Sequence, residues 1–230
     1  MDDAPLAARL PEPPPRPERA AVGLIETMRA DGGRVALLDL HLARLSAAAR
    51  RWQRPLDADA LRAEIRAALR DVAGAARVRV VLGADGAAVA VAPLDASRFE
   101  TAAVFPEPLA EAGTWRCRYK TTARAHYDRA VGWAAYVGVD EPILLNARGE
   151  VMEGARTSVW LREGDAWITP PLASGGLGGV ARAVWLAEPG ARDSVVTPER
   201  LAVADAVWLC NAVRGCMRVR LVIPAERGRA

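Results

Sequence analysis

The sequence predicts a mixed α+β protein built as two domains, and three observations lead there. The chain has 230 residues, 51% apolar and 26% charged, which is ordinary for a globular protein and long enough to bury a substantial core. Segments with helical spacing of apolar residues alternate with short apolar runs bounded by turn residues, the pattern of strands and hairpins. Between them, EPLAEAGTW reads as a loop or linker and sets a boundary near Gly113. The expected organisation is a proline-rich, disordered lead over 1–20, a small α/β domain over 21–112 and a larger domain over 113–230.

Residues 1–20 hold six of the sixteen prolines, including PEPPPRP, so the lead is expected to be extended rather than a folded element. AVGLIETMRA, from Ala21, reads as a strand, and DGGR follows as a turn. LLDLHLARLSAAARR carries Leu38, Leu42, Leu45 and Ala49 at helical spacing. A second helix starts after Pro55, with Leu61, Ile65, Leu69 and Val72 on one face and Asp57 or Asp59 as its cap. VRVVL, a GADG turn and AAVAVA form a hairpin, and ETAAVF adds a strand.

Residues 122–137 have helical composition, with Thr122 as N-cap. Two hairpins follow, PILLN-ARGE-VMEG and TSVWLR-EGD-AWITP. PPLASGGLGG is a loop with four glycines in its last five residues, leading into a helix from about Val180. AVWLC and MRVRLVI close the chain as strands joined by NAVRG.

The totals exclude several classes of function. Net charge is only +3, and basic residues are interleaved with acids, as in LRAEIRAALRD. No basic block with interleaved aromatics suggests nucleic acid as a partner. Cys117, Cys210 and Cys216 are odd in number and lack CxxC spacing, so neither a disulfide framework nor a zinc site is expected. His41 and His126 add little for a metal. No run approaches the roughly 18 apolar residues of a membrane span, and MDDAPLAARL is no secretory signal. The expected compartment is the cytoplasm.

Chemistry enters through Lys120. The chain has thirty arginines and this one lysine. A guanidinium stays protonated, whereas a desolvated amine can lose its proton and attack a carbonyl. The lone lysine is therefore a candidate nucleophile or Schiff-base residue, the alternative being a chance survivor of compositional bias. Glycines before a helix start let backbone N–H groups converge on an anion, and GGLGGVARAV has that form, as would a merely flexible loop. Glu153 follows an apolar strand; on the surface it means nothing, but buried it needs a cationic or N–H partner. Arg44 sits on a helix beside His41. Lysine for an aldehyde, an acid for a pyridine nitrogen, and arginine with helix-terminal amides for a phosphate are together the parts that pyridoxal phosphate requires.

The motifs GLIETMR, LDLHLARLSAAAR, YKTTARAHYD, DEPILLNARGEVMEGARTSVWL, ITPPLASGGLGGVAR and ADAVWLCNAVRG, in that order, span Gly23 to about Val219. This succession resembles the class IV, or fold-type IV, pyridoxal phosphate enzymes, which include branched-chain and D-amino acid aminotransferases and 4-amino-4-deoxychorismate lyase. The resemblance implies a D-amino acid aminotransferase-like two-domain fold with the cofactor between the domains, a small-molecule amine as substrate, and a homodimer. It assigns Lys120 to the covalent bond with the cofactor aldehyde and Glu153 to the pyridine nitrogen. Arg44, Gly179, Val180, Ala181, Asn211 and Ala212 fall where the phosphate is held. Thr27 and Arg124 are expected substrate contacts.

The chain departs from the family at several points. Ala181 stands for the usual Thr and Ala212 for a usual Ser or Thr, each removing a hydroxyl whose hydrogen bond to a charged group is worth ~1.5–3 kcal/mol. Ser158 stands for the usual Asn, Ala123 for the Asn of many lyases, and the proline-rich lead for the family's first strand. The KTT-R--YD pattern is most similar to aminodeoxychorismate lyases. The implied activity is release of pyruvate from 4-amino-4-deoxychorismate to give 4-aminobenzoate, on the route to folate, with Lys120 as base and then acid. Transamination of branched-chain or D-amino acids is the alternative, and a PLP-fold protein that has lost catalysis is a third.

Overall fold

The computed structural model describes residues 10–95 and 97–224. The first sheet has the order β2-β1-β3-β4, with β1 Leu24–Asp31, β2 Arg34–Val35, β3 Ala76–Leu82 and β4 Ala87–Pro93, all antiparallel. One face of it carries α2, Leu38–Arg51, and α3, Ala58–Ala68. Strand alternation sorts the side chains. Leu24, Met28, Val78, Val80 and Leu82 enter a core with Leu42, Leu45, Leu61 and Ile65, while Ile25, Thr27, Arg77 and Arg79 lie on the opposite face, with Thr27 directly across from Arg79.

Of the two candidate caps, Asp57 is the one used: its carboxylate accepts from the N–H groups of Asp59 and Ala60. Helix α3 ends at Ala68, so Leu69 is its C-cap and Val72 reaches the same core from beyond the helix.

The second sheet has eight strands in the order β10-β9-β8-β11-β12-β5-β6-β7. They are β5 Thr101–Val104, β6 Glu141–Leu145, β7 Val151–Gly154, β8 Ser158–Glu163, β9 Ala166–Thr169, β10 Ala191–Asp193, β11 Ala206–Asn211 and β12 Gly215–Leu221. Both predicted hairpins, β6–β7 and β8–β9, are present. Strand β12 is the keystone, antiparallel to β11 on one side and parallel to β5 on the other. Buried Ile143, Val159, Leu161, Ile168, Leu209 and Met217 make its core.

Five expectations need correction. The lead is not wholly extended, since α1 covers Arg16–Ala21 with its first helical residues next to Pro15 and Pro17, where a missing N–H does no harm. Residues 1–9 of that expectation lie outside the described residues. Within 10–21, the Tyr119 hydroxyl donates to the Pro11 carbonyl and Arg54 donates to the Arg19 carbonyl. Strand β5 lies upstream of Gly113 yet pairs in the second sheet, so the change of sheet falls between Pro93 and Thr101. The linker runs into a short helix, α4, Trp115–Arg118. The helix after the lysine, α5, begins at Ala125 rather than Thr122 and ends at Val137, where Gly138 takes a left-handed φ of 77°. Thr122 instead accepts from the Gly23 N–H through its hydroxyl, which stitches this segment to the first sheet.

The fifth correction concerns sulfur. Cys210 and Cys216 form a disulfide, and Cys117 is buried and free. Sequence spacing gave no signal for it. The β11–β12 register creates it by placing the two residues directly opposite each other, with Cα atoms 4.2 Å apart. Among the described residues, no helix is long and apolar enough to cross a membrane.

Candidate active site

A cavity of about 400 Å³ opens between the exposed face of the first sheet and the second sheet. Lys120 lies on its wall. The lysine is held through its backbone: its carbonyl accepts from the Ile25 N–H at 2.8 Å, the next residues bridge Leu24 to Thr121, and the Thr122 N–H donates to Gly23. Buried Tyr119 and Thr121 flank it. Close approach requires glycine at 23, because a Cβ there would lie 2.8 Å from Val81 Cγ1. The lysine side chain remains partly open to the cavity, yet the atoms packed around its amine desolvate it. Burial, with the charges of Arg44 and Arg124, outweighs Glu26 and Glu153 and lowers its pKa from 10.5 to about 8.

Glu153 is the next-to-last residue of β7 and is buried at 7% exposure. Its Oε1 accepts from the Tyr127 hydroxyl at 2.5 Å and its Oε2 from the Leu177 N–H at 3.1 Å. Burial outweighs these donors and the charges of Lys120 and Arg124, raising its pKa from 4.5 to about 7. Gly176 lets the glycine loop lie against this carboxylate, since a Cβ there would come within 3.2 Å of its carboxyl carbon. The two groups singled out by sequence therefore titrate near neutrality in one cavity, which is the condition for moving protons at physiological pH.

Arg44 projects from α2 toward the glycine loop. Its Nε and Nη2 donate to the two oxygens of Glu26 at 2.8 and 2.6 Å, and Nη1 donates to the Gly178 carbonyl at 3.0 Å. Three of the guanidinium's five N–H groups are thus used, leaving one on each terminal nitrogen. His41 Nδ1 lies 2.7 Å from the same Glu26. Burial pushes the Glu26 pKa up, but the Arg44 charge and the bonds from His41 and Arg44 prevail and hold it at about 2.

Gly179 is the N-cap of α6, Val180–Leu186, without a capping side chain. Val180 and Ala181 are its first helical residues, whose N–H groups have no acceptor within the helix. Both line the cavity, as do Ala212 and the Ser158 side chain. The Asn211 side chain is engaged elsewhere: Nδ2 donates to the Arg156 carbonyl, and Oδ1 accepts from the N–H groups of Val213 and Arg214. It shapes the 211–215 turn rather than pointing a donor into the cavity.

Thr27 lines the cavity from β1, and Arg124 lines it from the N-cap of α5, donating to the Ala155 carbonyl at 2.9 Å. Every residue singled out by sequence therefore borders this cavity. Sequence reasoning missed four that also matter. Glu26 was legible: on β1 it shares the core-facing parity of Leu24 and Met28, and a buried acid there demands cations. Arg77 and Arg79 alternate with valines in ARVRVV, which places them together on the cavity face. Tyr127 is the tyrosine of the KTT-R--YD pattern, but nothing local gave it a role. Among the described residues, no group of three or more His, Cys, Asp or Glu side chains gathers as a metal site.

Comparison with known proteins places this geometry in context. A family model described as Amino-transferase class IV matches residues 23–222. A solved structure from Mesorhizobium loti, provisionally assigned as an amino-acid aminotransferase, is 31% identical with a TM-score of 0.81, covering 87% of this chain and 100% of that one. The 4-amino-4-deoxychorismate lyase from Pseudomonas aeruginosa is 27% identical with a TM-score of 0.72, covering 86% and 82%. The branched-chain amino acid aminotransferase from Escherichia coli shares the fold at 22% identity and a TM-score of 0.77, covering 91% and 80%. No curated protein matches significantly.

Proposed function

Because the chain belongs to the class IV aminotransferase family, whose members depend on pyridoxal phosphate, we propose that it is a lyase releasing pyruvate from 4-amino-4-deoxychorismate to give 4-aminobenzoate. The donor set fits the cofactor. Glu153, a buried carboxyl on the cavity wall, suits a pyridine nitrogen, from whose N–H its carboxylate would accept. The open N–H groups of Val180 and Ala181 and the two unused N–H groups of Arg44 suit a phosphate. When bound, pyridoxal phosphate supplies an aldehyde for Lys120 and a ring that accepts the electron pair left by a departing proton.

The residues of the chain do the rest. Burial lowers the Lys120 pKa to about 8, so its amine, once the substrate amine has displaced it from the aldehyde, can take up and give back a proton near neutral pH. It would remove the proton from the amine-bearing ring carbon and, once protonated, return one to the departing three-carbon fragment. One carbon–oxygen bond breaks, the ring becomes aromatic, and no oxidant or second substrate is consumed.

The observation that carries this reading is the cationic wall. Arg77 and Arg79 line the cavity and make no ion pair among the described residues. Burial and the neighbouring charges of Arg124 and Arg77 lower the Arg79 pKa. Two unpaired arginines beside Arg124, whose own ion pair is a long one of 3.7 Å to Asp128, favour an anionic ligand, and aminodeoxychorismate carries two carboxylates. Amino transfer is the second reading, favoured by the 31% identity to the Mesorhizobium loti protein.

The test is direct. The purified protein should be yellow, and borohydride should bleach it and leave a reduced pyridoxyl group on the peptide containing Lys120. Lys120→Arg should remove both colour and turnover. Pyruvate release from aminodeoxychorismate, read by a coupled dehydrogenase, supports the lyase. Bleaching of the yellow form by an amino acid alone, restored by 2-oxoglutarate, assigns the aminotransferase instead. A colourless protein that ignores added cofactor rejects both.

A further inference from the structure

Tyr127 lies on α5, seven positions after the lysine, with 6% exposure. Its hydroxyl and the Leu177 N–H each hold one oxygen of Glu153, so the carboxylate has no free rotation. The tyrosine ring is itself gripped: the His126 ring packs on it with centroids 4.1 Å apart, and the Arg124 guanidinium lies 4.9 Å from its centroid. The phenol also contacts the buried Cys117 thiol, which approaches His126 Nε2 at 3.7 Å. One side chain thus joins the buried acid to Arg124, which also borders the cavity.

We propose that Tyr127 is a positioning residue that aims the Glu153 carboxylate into the cavity, keeps it a proton acceptor, and couples it to Arg124. This rests on the reading of Glu153 as partner of the pyridine nitrogen. Burial and the facing Glu153 charge raise the phenol well above its ordinary range, so it acts as a donor and never as a competing base. The charged groups facing Glu153 from all sides are Lys120, Arg124, Arg118 and Arg182, and the neutral ones are Cys117 and Tyr127. The hydroxyl is the hydrogen-bond donor in that set that can be deleted without changing charge or ring packing.

Tyr127→Phe is the test, because it keeps the ring and its contact with Arg124. A buried carboxyl with a raised pKa stabilises the fold only at low pH. Its contribution is complete below the unfolded-state pKa near 4.5 and is lost as pH rises through about 7. Loss of a donor to the anion extends that loss to higher pH, by about one unit. The melting temperature of the cofactor-free protein between pH 5 and 9 should show this displacement for Tyr127→Phe, and the pH titration of the bound cofactor's absorbance should move in the same direction. On a Glu153→Gln background the displacement should vanish. Coincident pH profiles for wild type and Tyr127→Phe, or a displacement that persists with Glu153→Gln, would overturn the proposal. The cofactor-free melts read Tyr127 even if the wild type takes up no cofactor, a result that would sink the enzymatic reading alone.

Discussion

Replacing Glu26 by Gln keeps the shape of the side chain and removes the charge that Arg44 and His41 share. Glu26 is 2% exposed, and the side chains of Arg44 and His41 are 11% and 2% exposed, so solvent screens this cluster weakly. The fall of the Glu26 pKa from 4.5 to about 2 corresponds to about 3 kcal/mol, at about 1.4 kcal/mol per unit. The sign follows from linkage. A carboxylate with a depressed folded-state pKa contributes its stability above the unfolded value of 4.5 and loses it as pH falls toward 2. Urea unfolding of wild type and Glu26→Gln should therefore differ by about 3 kcal/mol at pH 7 and by about half of that at pH 3. A gap unchanged between these pH values would assign the loss to packing. A gap under about 0.5 kcal/mol would mean that the ion pair contributes as little as an exposed one, and the electrostatic reasoning would fail.

Two further outcomes follow from the phosphate end and the disulfide. Ala181→Thr should tighten pyridoxal phosphate binding about tenfold or more by restoring a hydroxyl near an anion, and should leave the affinity for phosphate-free pyridoxal unchanged; absorbance titration with both ligands decides. Denatured protein without reductant should show one free thiol of three, Cys117, and reduction of Cys210–Cys216 should cost about 2 kcal/mol in urea unfolding for so short a closed loop. Three thiols before reduction would refute the bridge.

Much of this architecture could be read from local pattern. Period-2 and period-3.6 spacing located the principal strands and helices, because each buries one face against a single core. The failures lie where the deciding contact is distant in sequence. Thr122 resembles an N-cap, but Gly23, ninety-nine residues away, claims its hydroxyl. Cys210 and Cys216 became partners only through hairpin register. Asn211 lines the cavity as expected of its segment, but what its side chain does there, holding its own turn, could not be read locally. Lys120 and Glu153 were legible as candidates because their rarity or setting is chemical: one amine among guanidiniums, one acid beside an apolar run. Tyr127 was not, because its importance lies in a bond across twenty-six residues.

The position of β12 bears on the order in which the molecule is assembled during synthesis. All four strands of the first sheet have emerged once residue 93 has been made. The second cannot be finished so early. Until 215–221 arrive, β11 and β5 have no common neighbour, and the larger sheet exists only as two unjoined halves, each with an unpaired edge. A nascent chain therefore carries a finished small half and a waiting large one, and a stall or cleavage shortly before residue 215 would release a species prone to aggregation rather than a weakened enzyme.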